Sequence, residues 1–383
     1  MQCDYFDAGK CRSCTLMGLP YAAQLAAKDT RARQVLAPFV PRSAWHSPFP
    51  SVEAGFRNKA KLAIGGVPGA LTLGILDGQR RGVDLRMCGL HEEPLRTALP
   101  VLAAYLDDLR LLPYDVRKGR GELKHVLATV NPDAELMVRL VLRSDRQLDR
   151  VREHLGELIS ALPSLRVGSV NFQPEHKAVL EGAVEIILTD AAVLPMRLPG
   201  ALLHLRPGSF FQTNTAVAVG LYAQAREWVD QTAPEVVWDL HCGVGGFALH
   251  LLDTGRDVTG VEISPSAVHS ARSALNQTQE AVAALGTCAE ARFVVGDATA
   301  YAMSAPAHPD LVVVNPPRRG IGPELAHWLQ ESGVRDVLYS SCHPVSLARD
   351  LAQMPALRTR RARLFDMFPQ SEHAEVLVHL QRR

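Results

Sequence analysis

Two short motifs near the C-terminus contain side chains suited to covalent catalysis. Cys342 follows the apolar run Val337-Leu-Tyr-Ser-Ser, which predicts a strand with a thiol at its carboxyl end. Glu372, His373 and Glu375 stand just before the final predicted strand. A thiol at the carboxyl edge of a sheet is placed as a nucleophile would be, and a nearby carboxylate can accept a proton. The alternative for Cys342 is a buried structural cysteine.

Four further cysteines have the spacing of a metal site. Cys3, Cys11 and Cys14 form C-x7-C-x2-C, and Cys88 lies further along the chain. Soft thiolates bind zinc or an iron–sulfur cluster, and three clustered ligands with a distant fourth favour a [4Fe–4S] cluster. Zinc and four unrelated cysteines are the alternatives. The odd total of seven cysteines and an N-terminus without an apolar signal segment argue against disulfides, so we expect a cytosolic protein.

A parallel sheet that could position the catalytic groups is predicted in the second half of the chain. An apolar strand is followed by a turn containing Gly243 and Gly245 and then by a helix. Three later strands end in Glu262, Asp297 and Asn315. The pattern resembles class I S-adenosylmethionine methyltransferases, in which Glu262 would hold the ribose and Asp297 would lie near the adenine. The Asn-Pro-Pro step at Asn315 favours this class over NAD-binding Rossmann proteins.

The charges are unevenly distributed along the chain. The net charge is +1, but residues 1–205 carry 26 basic and 22 acidic side chains, whereas residues 206–383 carry 15 and 18. A strand beginning at Phe56 would place Arg57, Lys59 and Lys61 on one face, which suits phosphates, with a solvated strand face as the alternative. An amphipathic helix is predicted over 148–162 and a linker over 195–207. We therefore predict an α+β domain over 1–205 and an α/β domain over 206–383.

Taken together, these motifs resemble the RNA uracil-C5 methyltransferase family over essentially the whole chain. The motifs are Cys-x7-Cys-x2-Cys, Phe210-Phe-Gln-Thr-Asn214, Asp-Leu-x-Cys-Gly-Val-Gly-Gly-Phe, Asn-Pro-Pro-Arg-Arg-Gly, Ser-Ser-Cys-x-Pro and Phe-Pro-x-x-x-His-x-Glu. With the cysteine cluster and no TRAM domain before it, the chain resembles the members that methylate 23S ribosomal RNA. The resemblance implies a class I methyltransferase domain preceded by an RNA-binding domain, with S-adenosylmethionine and a [4Fe–4S] cluster as cofactors.

The resemblance also implies a role for each matching residue. Cys342 would add to carbon 6 of uracil, and Glu375 would remove the proton from carbon 5. The cofactor-contacting positions are matched by Gln212, His241, Glu262 and Asn315, and the cluster ligands by Cys3, Cys11, Cys14 and Cys88. Two of these depart from the family pattern, since His241 replaces Phe and Asn315 replaces a frequent Asp.

The sequence also contains two further cysteines and two arginines that are not expected to take part in the chemistry directly. Cys242 is predicted to pack behind the Gly-rich turn, and Cys288 to have no role. Arg318 and Arg319 are expected to contact the RNA backbone or to form surface ion pairs. The alternative functions are methylation of another base, such as a tRNA uridine or cytosine C5, and a non-catalytic iron–sulfur RNA-binding protein. Nothing in the sequence suggests a membrane protein or more than a monomer.

Overall fold

A computed structural model of the protein describes residues 1–176, 179–283 and 290–383, so Cys288 lies outside the described residues. Within them the chain forms two compact units that interleave along the sequence. The first unit comprises Met1–Met17, Glu53–Met196 and Arg206–Gly208. The second comprises Gly18–Val52, Arg197–Leu205 and Ser209–Arg383. The predicted division of functions at residue 205 stays a prediction.

The secondary-structure elements are numbered in chain order. The helices are α1 Asp4–Asp7, α2 Tyr21–Leu36, α3 Glu93–Asp108, α4 Leu148–Glu153, α5 Leu155–Ala161, α6 Thr215–Asp230, α7 Gly246–His250, α8 Pro265–Ala283, α9 Ala298–Ser304, α10 Gly322–Glu331 and α11 Pro344–Leu351, with 3-10 turns at Arg42–Ala44 and Asp145–Gln147. The strands are β1 Lys59–Val67, β2 Ala70–Leu76, β3 Gly82–Asp84, β4 Leu123–Val130, β5 Leu136–Leu142, β6 Leu165–Phe172, β7 Val184–Ile187, β8 Leu194–Leu198, β9 Ala201–Leu205, β10 Val236–Leu240, β11 Asp257–Glu262, β12 Glu290–Val295, β13 Leu311–Val314, β14 Asp336–Ser341, β15 Leu357–Phe365 and β16 Glu375–Arg382.

The first unit contains a mixed sheet in the order β3-β2-β1-β4-β5-β6-β7, in which β5 and β6 run parallel. Helix α3 packs on this sheet through Leu95, Leu99, Leu102 and Leu106, whose spacing of three to four residues gives one apolar face. On β1, Lys59 and Lys61 alternate with buried apolar residues. Lys59 and Lys61 of the predicted basic strip therefore share one face of this strand, whereas Arg57 lies before it and donates through Nε to the carbonyl oxygen of Lys59 at 2.9 Å.

Two predictions for the region before residue 208 were wrong in detail. The helix predicted over 148–162 is two helices, because His154 leaves the helical conformation and Gly156 is a weak helix former. The linker predicted over 195–207 contains the hairpin of β8 and β9. Pro199 and Gly200, which read as linker residues, form its turn, and Gly200 has the positive φ of +93° that a type II turn requires at this position.

The second unit contains a sheet in the order β12-β11-β10-β13-β14-β16-β15. Strands β10 to β14 are parallel, and β16 is antiparallel to both of its neighbours. This arrangement confirms the predicted parallel α/β sheet. The inner strands β10, β11, β13 and β14 are buried on both faces, which explains why they read as continuous apolar runs in the sequence. None of the helices within the described residues is long and apolar enough to cross a membrane.

Helix α2 belongs to the second unit, although it precedes most of the first unit in the chain. Lys28 donates to Asp366 Oδ1 at 2.6 Å and to the carbonyl oxygen of Phe368 at 3.0 Å, and both charged side chains are buried. Gln24 and Gln370 exchange two hydrogen bonds, at 3.0 and 3.1 Å. These contacts fix the segment that leads into β16 and hence to Glu375.

Candidate active site

The candidate active site lies at the carboxyl ends of the parallel strands. Leu240 of β10 aligns with Val261 of β11 and with Val314 of β13, and Val314 aligns with Tyr339 of β14. The residues that follow these strands therefore meet along one edge. Strand order reverses on the two sides of β10, and such a switch point is where open α/β sheets bind ligands.

The Gly-rich turn after β10 brings backbone close to this edge. Gly243 and Gly245 have φ values of +56° and +86°, which favour glycine. A Cβ atom on Gly246 would lie 2.5 Å from the hydroxyl oxygen of Tyr222, so a larger residue does not fit there. Cys242 is buried behind the turn, in line with its predicted packing role. The turn can thus approach a ligand through its main chain.

Asp239 is a candidate that the sequence analysis did not single out. Its Oδ2 accepts a hydrogen bond from the backbone N–H of Ala248 at 2.9 Å, whereas Oδ1 is buried with no partner among the described residues. Burial raises its pKa to about 7, and the negative charge of Glu262 adds to this increase. The signal was present in the sequence, because Asp239 is the acidic residue four positions before Gly243.

Glu262 and His241 lie together beside the turn. The Glu262 carboxylate accepts backbone N–H groups from Gly243 at 3.2 Å and from Ser264 at 2.9 Å. Burial lowers the pKa of His241, although the charges of Glu262 and Asp297 oppose this shift. His241 adopts the left-handed φ of +68°, and its Nε2 atom is buried with no hydrogen-bond partner in the described part of the chain.

The other cofactor candidates have different surroundings. Asp297 is exposed and caps α9 by accepting the backbone N–H of Ala300 at 2.9 Å, so it has a structural task as well. Asn315 is half-buried and directly follows β13. Gln212 is buried in the segment before α6, whose N-cap is Asn214. The electrostatic contacts bring His241, Glu262 and Asp297 together, and strand register places Asn315 at the same sheet edge.

Cys342 and Glu375 face each other across neighbouring strands. The last register pair of β14 and β16 is Ser341 with Val376, so the next step along both strands sets Cys342 opposite Glu375. Glu375 is 2% exposed, and its Oε1 accepts a hydrogen bond from Ser340 Oγ at 2.5 Å. Burial raises the pKa of Glu375 to about 7, and the Ser340 hydrogen bond limits that rise. Ser340 is a second site residue that the sequence analysis missed.

The Cys342 thiol is half-buried and lies near one negative and one positive side chain. Burial, followed by the charge of Glu375, raises its pKa to about 11, whereas the positive charge of Arg318 lowers it. Arg318 is exposed and forms no ion pair within the described residues. The structure therefore joins a thiol, a carboxylate and a guanidinium that are widely separated in the sequence.

The N-terminal cysteines lie together in the first unit. Burial and the neighbouring Cys88, Cys11 and Cys3 raise the pKa of Cys14 to about 11. Burial raises the pKa of Cys88 as well, with further contributions from Cys3 and Cys11, and the charge of Arg57 opposes both shifts. In the described ranges no three His, Cys, Asp or Glu side chains converge on one position as they would for a single metal ion.

Comparison with known proteins identifies the family. The tRNA (Uracil-5-)-methyltransferase family matches residues 297–383, and a general methyltransferase domain matches residues 237–333. The chain is 47% identical over 386 residues to the 23S rRNA (uracil(747)-C(5))-methyltransferase RlmC of Halothiobacillus neapolitanus, with 100% of both chains covered. It is 43% identical to the RlmC protein of Shewanella amazonensis, with 99% of this chain and 97% of that one covered. The chain belongs to the RlmC family of RNA uracil-C5 methyltransferases.

A solved structure supports the same fold. The tRNA (uracil-54, C5)-methyltransferase of Pyrococcus abyssi, in complex with S-adenosyl-L-homocysteine, superimposes with a TM-score of 0.77 at 24% identity. The match covers 96% of this chain and 85% of that chain. These findings confirm the predicted family and the class I methyltransferase fold of the sheet.

Proposed function

We propose that this protein transfers the methyl group of S-adenosylmethionine to carbon 5 of a uridine in 23S ribosomal RNA. The target would be uridine 747, the position given in the names of its relatives and the one that the motif resemblance implies. The observation that carries the chemistry is the position of Cys342 opposite Glu375, at the edge of the sheet where the cofactor candidates lie. Glycine-rich backbone and acidic side chains at this edge suit a cationic cofactor with a ribose.

Two residues of the chain would carry out the chemistry, one as the nucleophile and one as the base. Cys342, as thiolate, would form a bond to carbon 6 of uracil, and this addition makes carbon 5 an enolate carbon that can accept a methyl group. S-adenosylmethionine, when bound, supplies that group as an electrophile. Glu375 would then accept the proton that carbon 5 gives up, and breaking of the Cys342–C6 bond would restore the double bond. The target base must leave its stack to reach Cys342.

The electrostatics of the pair match these tasks. A base operates best when its pKa is near the working pH, and Glu375 is held at about 7 by burial. The thiol of Cys342 has its pKa raised by burial and by Glu375, so the free protein holds it mainly as a thiol. The Arg318 guanidinium lowers that pKa and favours the thiolate. We therefore assign Arg318 to activation of Cys342, beside any contact with the RNA backbone.

The proposal includes a [4Fe–4S] cluster held by Cys3, Cys11, Cys14 and Cys88. A cubane cluster is bound at four separate iron atoms, so its thiolates surround a volume and need not meet at one point. The donor set fits, because soft thiolates suit such a cluster and the four thiols lie close enough to influence one another electrostatically. The cluster would join the N-terminus to residue 88. Zinc is the competing occupant of the same thiols.

RNA binding is assigned to the first unit on the basis of its basic strip. Lys59 and Lys61 share one face of β1, and the loop before the neighbouring strand β4 adds the exposed Arg117, Lys118 and Arg120. Basic side chains of this kind can neutralise RNA phosphates, and the salt dependence of RNA binding increases with the number of phosphates neutralised. We therefore propose that residues 1–205 mainly bind RNA and residues 206–383 carry out methyl transfer, in a protein that acts as a monomer.

A mechanism-based substrate tests the proposal. Wild-type protein incubated with 5-fluorouridine-substituted 23S rRNA fragment and S-adenosylmethionine should give a covalent adduct, because fluorine cannot leave carbon 5 as a proton does. Cys342→Ala should give none, and the matched variant Cys242→Ala should keep it. Glu375→Gln should form an adduct even on ordinary uridine RNA, since the carbon 5 proton then has no acceptor. An undiminished adduct with Cys342→Ala would refute the assignment.

A further inference from the structure

Arginine side chains on β15 share one face of the strand because of a bulge. Arg358, Arg360, Arg361 and Arg363 are not buried, whereas the residues between them are. In a regular strand Arg360 and Arg361 would point to opposite faces. A register shift between Thr359 and Arg361 inserts one extra residue and so returns the later arginines to the same face.

The partner strand identifies this face. Arg358 lies opposite Gln381 and Arg361 lies opposite His379 on β16, and alternate residues of a strand share a face. Arg360 reaches the same side, where its Nε donates to Gln381 Oε1 at 3.0 Å. The bulge therefore groups three guanidinium groups that the sequence pattern alone would separate.

Positive charge is concentrated along β15. Residues 354–365 contain four arginines and no acidic residue, within a half of the chain that carries more acidic than basic side chains. Arg358, Arg360 and Arg361 have no ion-pair partner in the part of the chain that the structure describes. Arg363 differs, because it donates to the carbonyl oxygen of Ser47 at 3.0 Å and has a structural contact. Three arginines are therefore available to an anionic partner.

Protection of an exposed sheet edge does not account for all of these charges. Charged side chains commonly prevent edge strands from pairing with other chains. Here the outer edge of the C-terminal part of β15 is already paired, since the backbone N–H of His46 donates to the carbonyl oxygen of Ala362 at 2.8 Å. Burial and the positive charges of Arg363 and Arg361 lower the pKa of His46, so the arginines of β15 also influence the segment that pairs with this edge.

We propose that Arg358, Arg360 and Arg361 bind the phosphate backbone of the substrate RNA in the segment that flanks the target nucleotide. Phe365 lies opposite Glu375, the proposed base. Measured along β15 from Phe365, Arg361 is about 13 Å away and Arg358 is about 23 Å away. Alternate strand residues are about 6.5 Å apart, which is close to the spacing of successive phosphates in an RNA strand. The inference rests on the proposed function, because it assumes that RNA reaches Glu375.

Salt-dependent binding tests this surface. The probe is a transcribed 23S rRNA fragment that contains uridine 747 and its flanking stems, measured by fluorescence anisotropy with the full-length protein at several salt concentrations. The variant Arg358→Gln/Arg360→Gln/Arg361→Gln should reduce the slope of log K against log salt by about two to three, and weaken binding at 0.1 M salt by about 10- to 100-fold. KM for RNA should rise, whereas kcat at saturating RNA should stay within about twofold of wild type.

Two controls decide between a specific and a general charge effect. Lysine at the same three positions should restore the slope, because phosphate neutralisation needs the charge and not the guanidinium. Glutamine at Arg292, which is exposed on β12 at the opposite edge of the same sheet, should leave the slope at its wild-type value. A wild-type slope in the β15 variant, or an equal loss in the control, overturns the proposal. Binding needs no methyl transfer, so a failure of the proposed activity would be seen separately, as absent methylation by the wild-type protein.

Discussion

Removal of the Ser340 hydroxyl should shift the pH at which methyl transfer operates. Ser340 Oγ donates to Glu375 Oε1 at 2.5 Å, and the two residues are 0% and 2% exposed. Burial raises the pKa of Glu375 to about 7, and this hydrogen bond is the one contribution that opposes the rise. A hydrogen bond to a charged group contributes about 1.5–3 kcal/mol, which corresponds to about one to two pKa units. The variant Ser340→Ala should therefore move the pKa of Glu375 from about 7 to about 8–9.

The consequence for rate follows from the fraction of Glu375 that is ionised. At pH 7 that fraction should fall from about one half to about 1–10%, so turnover should drop by about 5- to 50-fold and recover at higher pH. The assay is kcat against pH on uridine-containing 23S rRNA fragment. Adduct formation on 5-fluorouridine RNA should persist in the variant, because that step does not need loss of a carbon 5 proton.

The adjacent Ser341 provides the control for this measurement. Its hydroxyl oxygen accepts the backbone N–H of His343 at 3.2 Å, and strand alternation puts it on the face opposite to Ser340 and Glu375, so Ser341→Ala should leave the acid limb of the profile in place. An acid limb at the wild-type pH in Ser340→Ala would contradict the reasoning. So would an equal shift in both variants, because it would show that the strand had simply been distorted.

Three further perturbations test the fold and the cofactor assignments. Glu375→Gln should be as stable as wild type near pH 4.5 and more stable by up to about 3 kcal/mol above pH 8. The reason is that the raised pKa of Glu375 makes the folded protein lose stability as the pH rises from 4.5 through about 7, whereas glutamine does not ionise. Urea unfolding at the two pH values measures the difference in free energy of unfolding. Lys28→Met should lower the free energy of unfolding by about 3–5 kcal/mol by leaving Asp366 buried without its cation, and Lys28→Met/Asp366→Leu should recover much of the loss; recovery of nothing would contradict the ion-pair explanation. Cys88→Ser should abolish the broad visible absorption and iron content expected of anaerobically purified wild type, whereas a colourless wild-type protein with stoichiometric zinc would refute the cluster.

Much of the second unit could be predicted from the sequence because its signals are local. The apolar runs before Glu262 and Asn315 are buried parallel strands, and their lengths and glycine-rich turns are visible without any partner. The same local signals failed for Pro199 and Gly200, which indicated a linker but form the turn between the paired strands β8 and β9. They also failed at His154, where one amphipathic pattern covers two short helices. Turn residues and periodicity indicate where chain direction changes, but not what the flanking residues pair with.

The sequence by itself determined the kinds of groups and their order: a Gly-rich turn, acidic strand ends, a nucleophilic cysteine and a cysteine cluster. Only the tertiary structure decided which of these meet. Cys342 faces Glu375 because an antiparallel strand is inserted beside β14, and Ser340 reaches the same carboxylate because it shares a strand face with Cys342. The Lys28–Asp366 pair joins residues from the two ends of the chain. Such contacts depend on strand register and long-range packing, which local periodicity does not encode.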